Sequence, residues 1–334
     1  MIITALIIAI SVITLFAVLG LVLVYMERKV AAFMQIRLGP MRVGPWGIAQ
    51  TLADTVKLIS KEDIIPNGAD KFLFNLAPLM VTVIATLALA PLPFSDKWII
   101  WDSNVGVFYV AAISSLTVIS ILTGGWASNN KYSLIGAMRS GAQIVSYELS
   151  VGLSLVAMVL LSGSLSFSDI VMTQQDAWWI FKGHLPAWIA FMVFIIASTA
   201  ELNRNPFDLP EAESELTAGF HTEYSGMKFA LFMLSEYINM FIVSAVAATL
   251  FLGGWMPLHF GQDNFFNHIM DYIPPLVWFA GKVFFIIFLI MWFRWTFPRL
   301  RIDQLLTLEW KYLLPISLIN VLAAAWITVT GWHF

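Results

Sequence analysis

Eight separate runs of apolar residues, over roughly 2–25, 72–94, 105–123, 142–161, 185–200, 229–253, 276–293 and 312–330, constrain this chain more than any other feature. A helix crosses a bilayer with about 20 mostly apolar residues, the workable range being about 17 to 25. Hydrocarbon offers no water to the backbone, so a spanning segment must satisfy its own polar groups as a helix or join a closed barrel. Barrel strands alternate in hydrophobicity over about ten residues, whereas these runs are continuous. The sequence therefore predicts an all-α polytopic membrane protein with eight transmembrane helices in a single domain over 1–334. Composition agrees. The chain is 59% hydrophobic and 12% charged, against roughly 45–50% and about 25% in soluble proteins, and its mean hydropathy is +0.81. The first run has neither a basic leader nor a small-residue cleavage site and reads as a retained span rather than a signal peptide.

Orientation follows from Lys and Arg. Of 18 basic residues, all but Lys97, Lys182 and Lys282 fall in the odd-numbered loops or their flanks. Odd loops are therefore expected on the cytoplasmic side, or the matrix side in an organelle, with both termini on the opposite side. Tryptophans near span ends, such as Trp98, Trp178 and Trp255, suit interfacial belts and need no further role.

The first loop reads ERKVAAFMQIRLGPMRVGPWGIAQTLADTVKLISKED. Gly39, Pro40, Gly44 and Pro45 forbid a helix through its middle. From Trp46, however, Ile48, Leu52, Val56 and Ile59 recur at helical spacing, while Gln50, Asp54, Lys57 and Lys61 take the other face. An amphipathic helix over 46–61 should lie in the membrane interface. Simple anchoring, or packing on a partner, explains that pattern equally well.

The strongest chemical signal is the acidic loop over 201–228, whose stretch AELNRNPFDLPEAESELTAGFHTEYSG (200–226) sets Glu201, Asp208, Glu211, Glu213, Glu215 and Glu223 against Arg204. Asp208 can cap a short helix with Pro210 in its first turn and Gly219 as its stop, placing Glu211 and Glu215 on one face. Crowded carboxylates repel one another, and partial desolvation of the loop would raise some of their pKa values toward those useful for proton uptake. Glu148 and Glu236 fall about six and seven residues inside spans four and six, roughly 10 Å deep. Each costs on the order of 2.5 to 3.5 kcal/mol to insert. Spans four and six begin on the side where spans one and five end at Glu27 and Glu201, so these acids should gather at one depth around a polar cavity. The competing expectation is structural: buried glutamates tied to Lys282, Arg139 or Arg204.

Other chemistries lack their residues. With no cysteine the chain can ligate no thiolate-held iron–sulfur cluster. Its five histidines, His184, His221, His259, His268 and His333, all fall outside the apolar runs, where they cannot face one another across a haem. Neither a dinucleotide fingerprint nor a P-loop appears. No flavin, haem, cluster or metal is expected on this chain.

The stretches ERKVAAFMQIRLGPMRVGPWG, GGWASNNKYSLIGAMRSGAQIVSYE, AELNRNPFDLPEAESELTAGFHTEYSG and RWTFPRLRIDQLL together resemble the quinone-site membrane subunit of respiratory complex I, the proton-pumping NADH:quinone oxidoreductase. That subunit is numbered 1 in mitochondria and lettered H in bacteria. The resemblance runs from about Glu27 to Lys311. It implies a substrate quinone, ubiquinone or menaquinone, in a tunnel shared with peripheral subunits, one carrying the terminal iron–sulfur cluster. By that resemblance Glu27, Arg28, Arg37, Asp54, Lys57 and Arg204 would frame the quinone entrance. Glu148, Glu201, Asp208, Glu211, Glu213, Glu215, Glu223 and Glu236 would form an acidic channel toward the antiporter-like subunits. Implied partners are the peripheral cluster-bearing subunit, the adjacent quinone-site subunit, small membrane subunits and lipid, but no nucleic acid, in a bacterial inner membrane or a mitochondrial one. A hydrogenase-type relative is the nearest alternative. A stand-alone ion transporter would be expected to show internal repeats, and none is visible.

Overall fold

The computed structural model describes residues 2–210, 213–259 and 265–331. Fourteen α-helices follow in chain order among them: α1 (Ile2–Met34), α2 (Gln50–Ser60), α3 (Lys71–Ala88), α4 (Gly106–Ala127), α5 (Lys131–Ser162), α6 (Phe167–Met172), α7 (Trp179–Lys182), α8 (His184–Glu201), α9 (Glu213–Leu216), α10 (Gly226–Phe251), α11 (Phe265–Asp271), α12 (Pro275–Thr296), α13 (Ile302–Leu308) and α14 (Leu314–Thr330). Eight stretches are long and apolar enough to cross a membrane, namely six single helices (α3, α4, α5, α8, α10 and α12), α1 from Ala9, and the α13–α14 pair counted as Ile302–Thr330.

Their limits differ from the apolar runs for local reasons. Pro91 and Pro93 follow α3 and stop it at Ala88, short of the expected residue 94. At the other extreme α5 starts at Lys131 rather than near 142, capped by the Asn130 side chain on Tyr132 N at 2.9 Å. That extra length has a partner. Gly136 lies so close to Gly219 that a Cβ there would meet Gly219 Cα at 2.8 Å, and Ser133 Oγ donates to Phe220 O at 3.3 Å. Helix α1 likewise continues to Met34 and carries Glu27 and Arg28 in its closing turns.

Small residues line the helix contacts. Ala187, Ala190 and Ala197 of α8 and Ala157 of α5 are fully buried, as expected where close backbone approach, not a hydrophobic force, joins helices in lipid. Phe108, Val83, Ile319 and Leu322 are exposed on the outside, which is the face lipid covers.

The loops sort into two sets. On one face loop 1 binds loop 5 through Asp63 and Lys228 at 2.8 Å, loop 3 binds loop 5 through Asn130 and Glu223 at 2.6 Å, and loop 7 binds loop 5 through Arg299 and Asp208 at 3.4 Å. On the other face Ser168 donates to Asp102 at 3.0 Å, and the indole of Trp178 donates to Pro257 O at 3.1 Å. Odd and even loops thus occupy opposite ends of the bundle, and fifteen of the eighteen basic residues belong to the odd end.

Candidate functional site

At the odd end, α1 presents Glu27, Arg28 and Ala31 to a cavity of about 540 Å³ completed by the 37–40 loop, Gln50, Tyr237 and Trp295. The loop before α2 turns on Gly47, at φ 77, where a Cβ would stand 2.1 Å from Pro40 O. Only glycine fits there. Beyond a short 3-10 turn, Pro45–Gly47, helix α2 occupies Gln50–Ser60, so the expected helix over 46–61 begins a turn later, after Trp46 at positive φ. Its apolar stripe is uncovered: Ile48, Leu52, Val56 and Ile59 are each more than half exposed.

Charges fasten this mouth. Arg28 pairs with Asp54, Lys57 stands 3.6 Å from the same carboxylate, and Gln50 donates to it at 3.3 Å. Partial burial works to raise the Asp54 pKa, but the hydrogen bond and charge of Arg28 outweigh it and hold the carboxyl below its usual value. Arg37 is exposed on the cavity rim and donates to Gln35 at 2.6 Å.

Glu27, 6% exposed, accepts from Arg204 at 3.1 and 3.2 Å and also pairs with Arg294. Arg204 lies 4.6 Å from the Tyr237 ring centre and reaches Glu236 at 3.9 Å. Two guanidinium groups and two carboxylates therefore balance in a buried network, which removes the large penalty of an unpaired charge. Glu236 also meets the Nε2 of His221 at 3.2 Å. Past Glu236, two small cavities of about 30 and 40 Å³ share Thr117, Ile144, Glu201, Leu202 and Asn239 as lining. Each exceeds the roughly 10–15 Å³ that one water needs. Glu148, half-buried on α5, lies within electrostatic reach of Glu201. A row of polar groups thus runs from Glu27 through Arg204, Glu236 and Glu201 to Glu148.

The other expected acids lie elsewhere. Asp208 faces Arg299. Glu215 is exposed, and the hydrogen bond and charge of Arg139 at 2.7 Å lower its pKa, the opposite of the rise expected from crowding. Glu223 accepts from Asn130. Glu213 opens α9, while Glu211 lies outside the described residues, as does the start expected for a helix capped by Asp208. The left-handed turn ending α9 is at Thr217, φ 62, and Gly219 instead opens a 3-10 turn. Lys282 pairs with no acid among the described residues: it donates to Gly254 O and Met256 O at 2.9 and 2.6 Å beneath the Trp178 ring. Among the described residues no group of three His, Cys, Asp or Glu could hold a metal ion.

Several groups around the row carry no distinct sequence signal. His221, buried in its loop, reads as a surface residue. Gln143 donates to Ala200 O and Phe207 O at 2.7 and 2.8 Å, and Asn203 donates to Ser140 at 2.9 Å, together holding the backbone around Glu201 and Arg204. Arg294 reads in the sequence only as a marker of orientation. Tyr237, adjacent to Glu236 in an apolar run, was the one findable signal.

Comparison with known proteins finds relatives over nearly the whole chain. A family described as NADH dehydrogenase matches residues 6–325. The chain is 60% identical over 328 residues to the NADH-quinone oxidoreductase chain lettered H of Bacteroides fragilis, covering 98% of this chain and 92% of that one. It is 59% identical over 327 residues to the same protein of Bacteroides thetaiotaomicron, at 98% and 91% coverage. With its counterpart in Geobacillus sp. it shares 53% over 314 residues, at 93% and 90%.

Proposed function

The chain belongs to the NADH dehydrogenase family, among the NADH-quinone oxidoreductase subunits lettered H, and from that premise we propose that its odd end receives the quinone and passes the consequence of quinone reduction to the row of acids. Membership makes it a membrane subunit of complex I that works with other complex I subunits. Its bacterial relatives favour a plasma-membrane location, with odd loops toward the cytoplasm.

The cavity of about 540 Å³ has the size and character for a quinone headgroup. Tyr237 and Trp295 offer aromatic walls, and Arg28 and Arg37 offer hydrogen-bond donors for a quinone carbonyl or its reduced oxygen. Reduction to quinol takes two electrons from a partner's redox centre and two protons. Negative charge developing on the quinone oxygens beside Glu27 draws the Arg204 guanidinium toward the cavity wall and away from Glu236. The longer contact, 3.9 Å to Glu236, yields first. Glu236 then takes up a proton, and the two small cavities beside Glu201, each roomy enough for a water, carry the change on toward Glu148.

The observation that carries this reading is one residue: Arg204 touches Glu27 in the cavity wall and Glu236 at the head of the row. The test is Glu236→Gln and Glu201→Gln in reconstituted complex. Each should lower protons pumped per NADH and shift the pH profile of quinone reduction, with NADH oxidation by an artificial acceptor unchanged. Normal assembly with an unaltered proton ratio in both variants would refute the pathway.

A further inference from the structure

Glu309 is fully buried and stands apart from the row of acids. It opens the π-helical turn Glu309–Leu313 that joins α13 to α14. Such turns within helices are rare and recur at functional positions. Ser150 of α5 donates to its Oε1 at 2.5 Å, whereas Oε2 has no hydrogen-bond partner. Among the described residues no cation pairs with it. On α5 the near titratable group is Tyr147, whose hydroxyl donates to Leu305 O at 2.9 Å rather than to Glu309. On α8, Ile189, Val193, Ile196, Ala197 and Ala200 belong to the apolar cluster that also holds Tyr147, Leu305 and Leu313. Asp303 of α13 and Lys311 of the same turn are exposed, and neither bonds to it.

An ionised carboxylate in this seam would have a single hydroxyl to stabilise it, which burial does not tolerate. A neutral acid would carry its proton on Oε2, facing no acceptor. A leucine or methionine of similar bulk would fill the seam without either cost. Packing therefore does not account for an acid here, and an exchangeable proton does.

We propose that Glu309 is a proton-holding group on the α14 side of α5, separate from the row that includes Glu148 on the same helix. In the loaded state Oε2 carries the proton while Oε1 accepts from Ser150. Release hands that proton to water entering the seam, as hydronium, and the carboxylate left behind is held by Ser150 together with that entering water. The carboxylate so created is held by Ser150, two residues from Glu148 on α5, so ionisation of one acid opposes ionisation of the other. Only this coupling rests on the acid-row reading; the exchangeable proton on Glu309 does not.

Infrared difference spectra of the purified complex, quinone-reduced minus oxidised, test the proposal. The wild type should show a protonated-carboxyl C=O band that is lost in Glu309→Gln and moves to higher wavenumber in Ser150→Ala, where the hydrogen bond to that oxygen is removed. Because the glutamine amide still accepts from Ser150, Glu309→Gln should assemble normally and shift the pH profile of pumping by about one unit. Identical spectra for wild type and Glu309→Gln would overturn it. Should that variant fail to assemble, an unmoved band in Ser150→Ala would do so instead. Loss of the band in Glu309→Gln together with normal pumping in Glu236→Gln and Glu201→Gln would discard the acid row and leave Glu309 standing.

Discussion

Arg204 faces two carboxylates, Glu27 at 3.1 Å and Glu236 at 3.9 Å, with its own side chain nearly buried. Removing one partner from such a set leaves an uncompensated charge, so Arg204→Ala should cost on the order of 3–5 kcal/mol. The expected outcome is a sharp fall in assembled complex on native gels, partly relieved when Glu236→Gln is added. No relief would mean that the Glu236 contact contributes nothing. Asp54 gives a pH dependence whose sign is fixed by Arg28. Its folded-state pKa lies below the unfolded one, so the tie of α2 to α1 is complete above the ordinary carboxylate range and is lost as pH falls through the folded value. Hydrogen exchange over 42–61 should accelerate at acid pH in the wild type and be already fast at neutral pH in Asp54→Asn. Equal protection in both proteins at pH 7 would rule this out. At this scale the sequence exposed charges in apolar surroundings, hence Glu148, Glu201 and Glu236. It hid neutral positioning groups such as Gln143 and Asn203, whose role depends on which backbone carbonyl lies opposite.

The helices were legible in number and order because each apolar run must close its own hydrogen bonds in lipid. Their ends were not, since hydropathy reports where lipid stops and not where helix stops. Helix α5 continues through KYSLIGAMRSG because Gly136 and Ser133 find a partner in the 219–221 turn, a contact no local pattern announces. The π turn at Glu309 was equally silent. Helix α2 was foreseen from its stripe, and the stripe proves uncovered, with Leu52 55% exposed. Leu52→Arg places a charge on the face meant for lipid or a partner. It should impair quinone reduction while NADH oxidation by an artificial acceptor in the peripheral arm persists. Loss of both activities would indicate failed assembly and remove α2 from the quinone route.

Across the whole molecule the ties between odd loops at one end and even loops at the other fix an alternating path through eight spans. They do not fix which end faces the cytoplasm; the distribution of basic residues gives the expectation that the odd end does. The chain has no cysteine, so Arg42→Cys and Lys97→Cys, both at exposed positions, give a clean assay. Impermeant maleimide should label Lys97→Cys from outside intact cells and Arg42→Cys only from the cytoplasmic side. Labelling of both from one side would refute the arrangement. One helix also breaks the scale of the bundle. The 32 residues of α5 extend about 48 Å across a hydrocarbon core of about 30 Å. Its outer arm is gripped by Glu215 at Arg139 and by Phe220 at Ser133, and its inner arm carries Glu148 and Ser150. Such a rod joins, in one unbroken element, the surface at which a neighbour would dock to the acids within the bilayer.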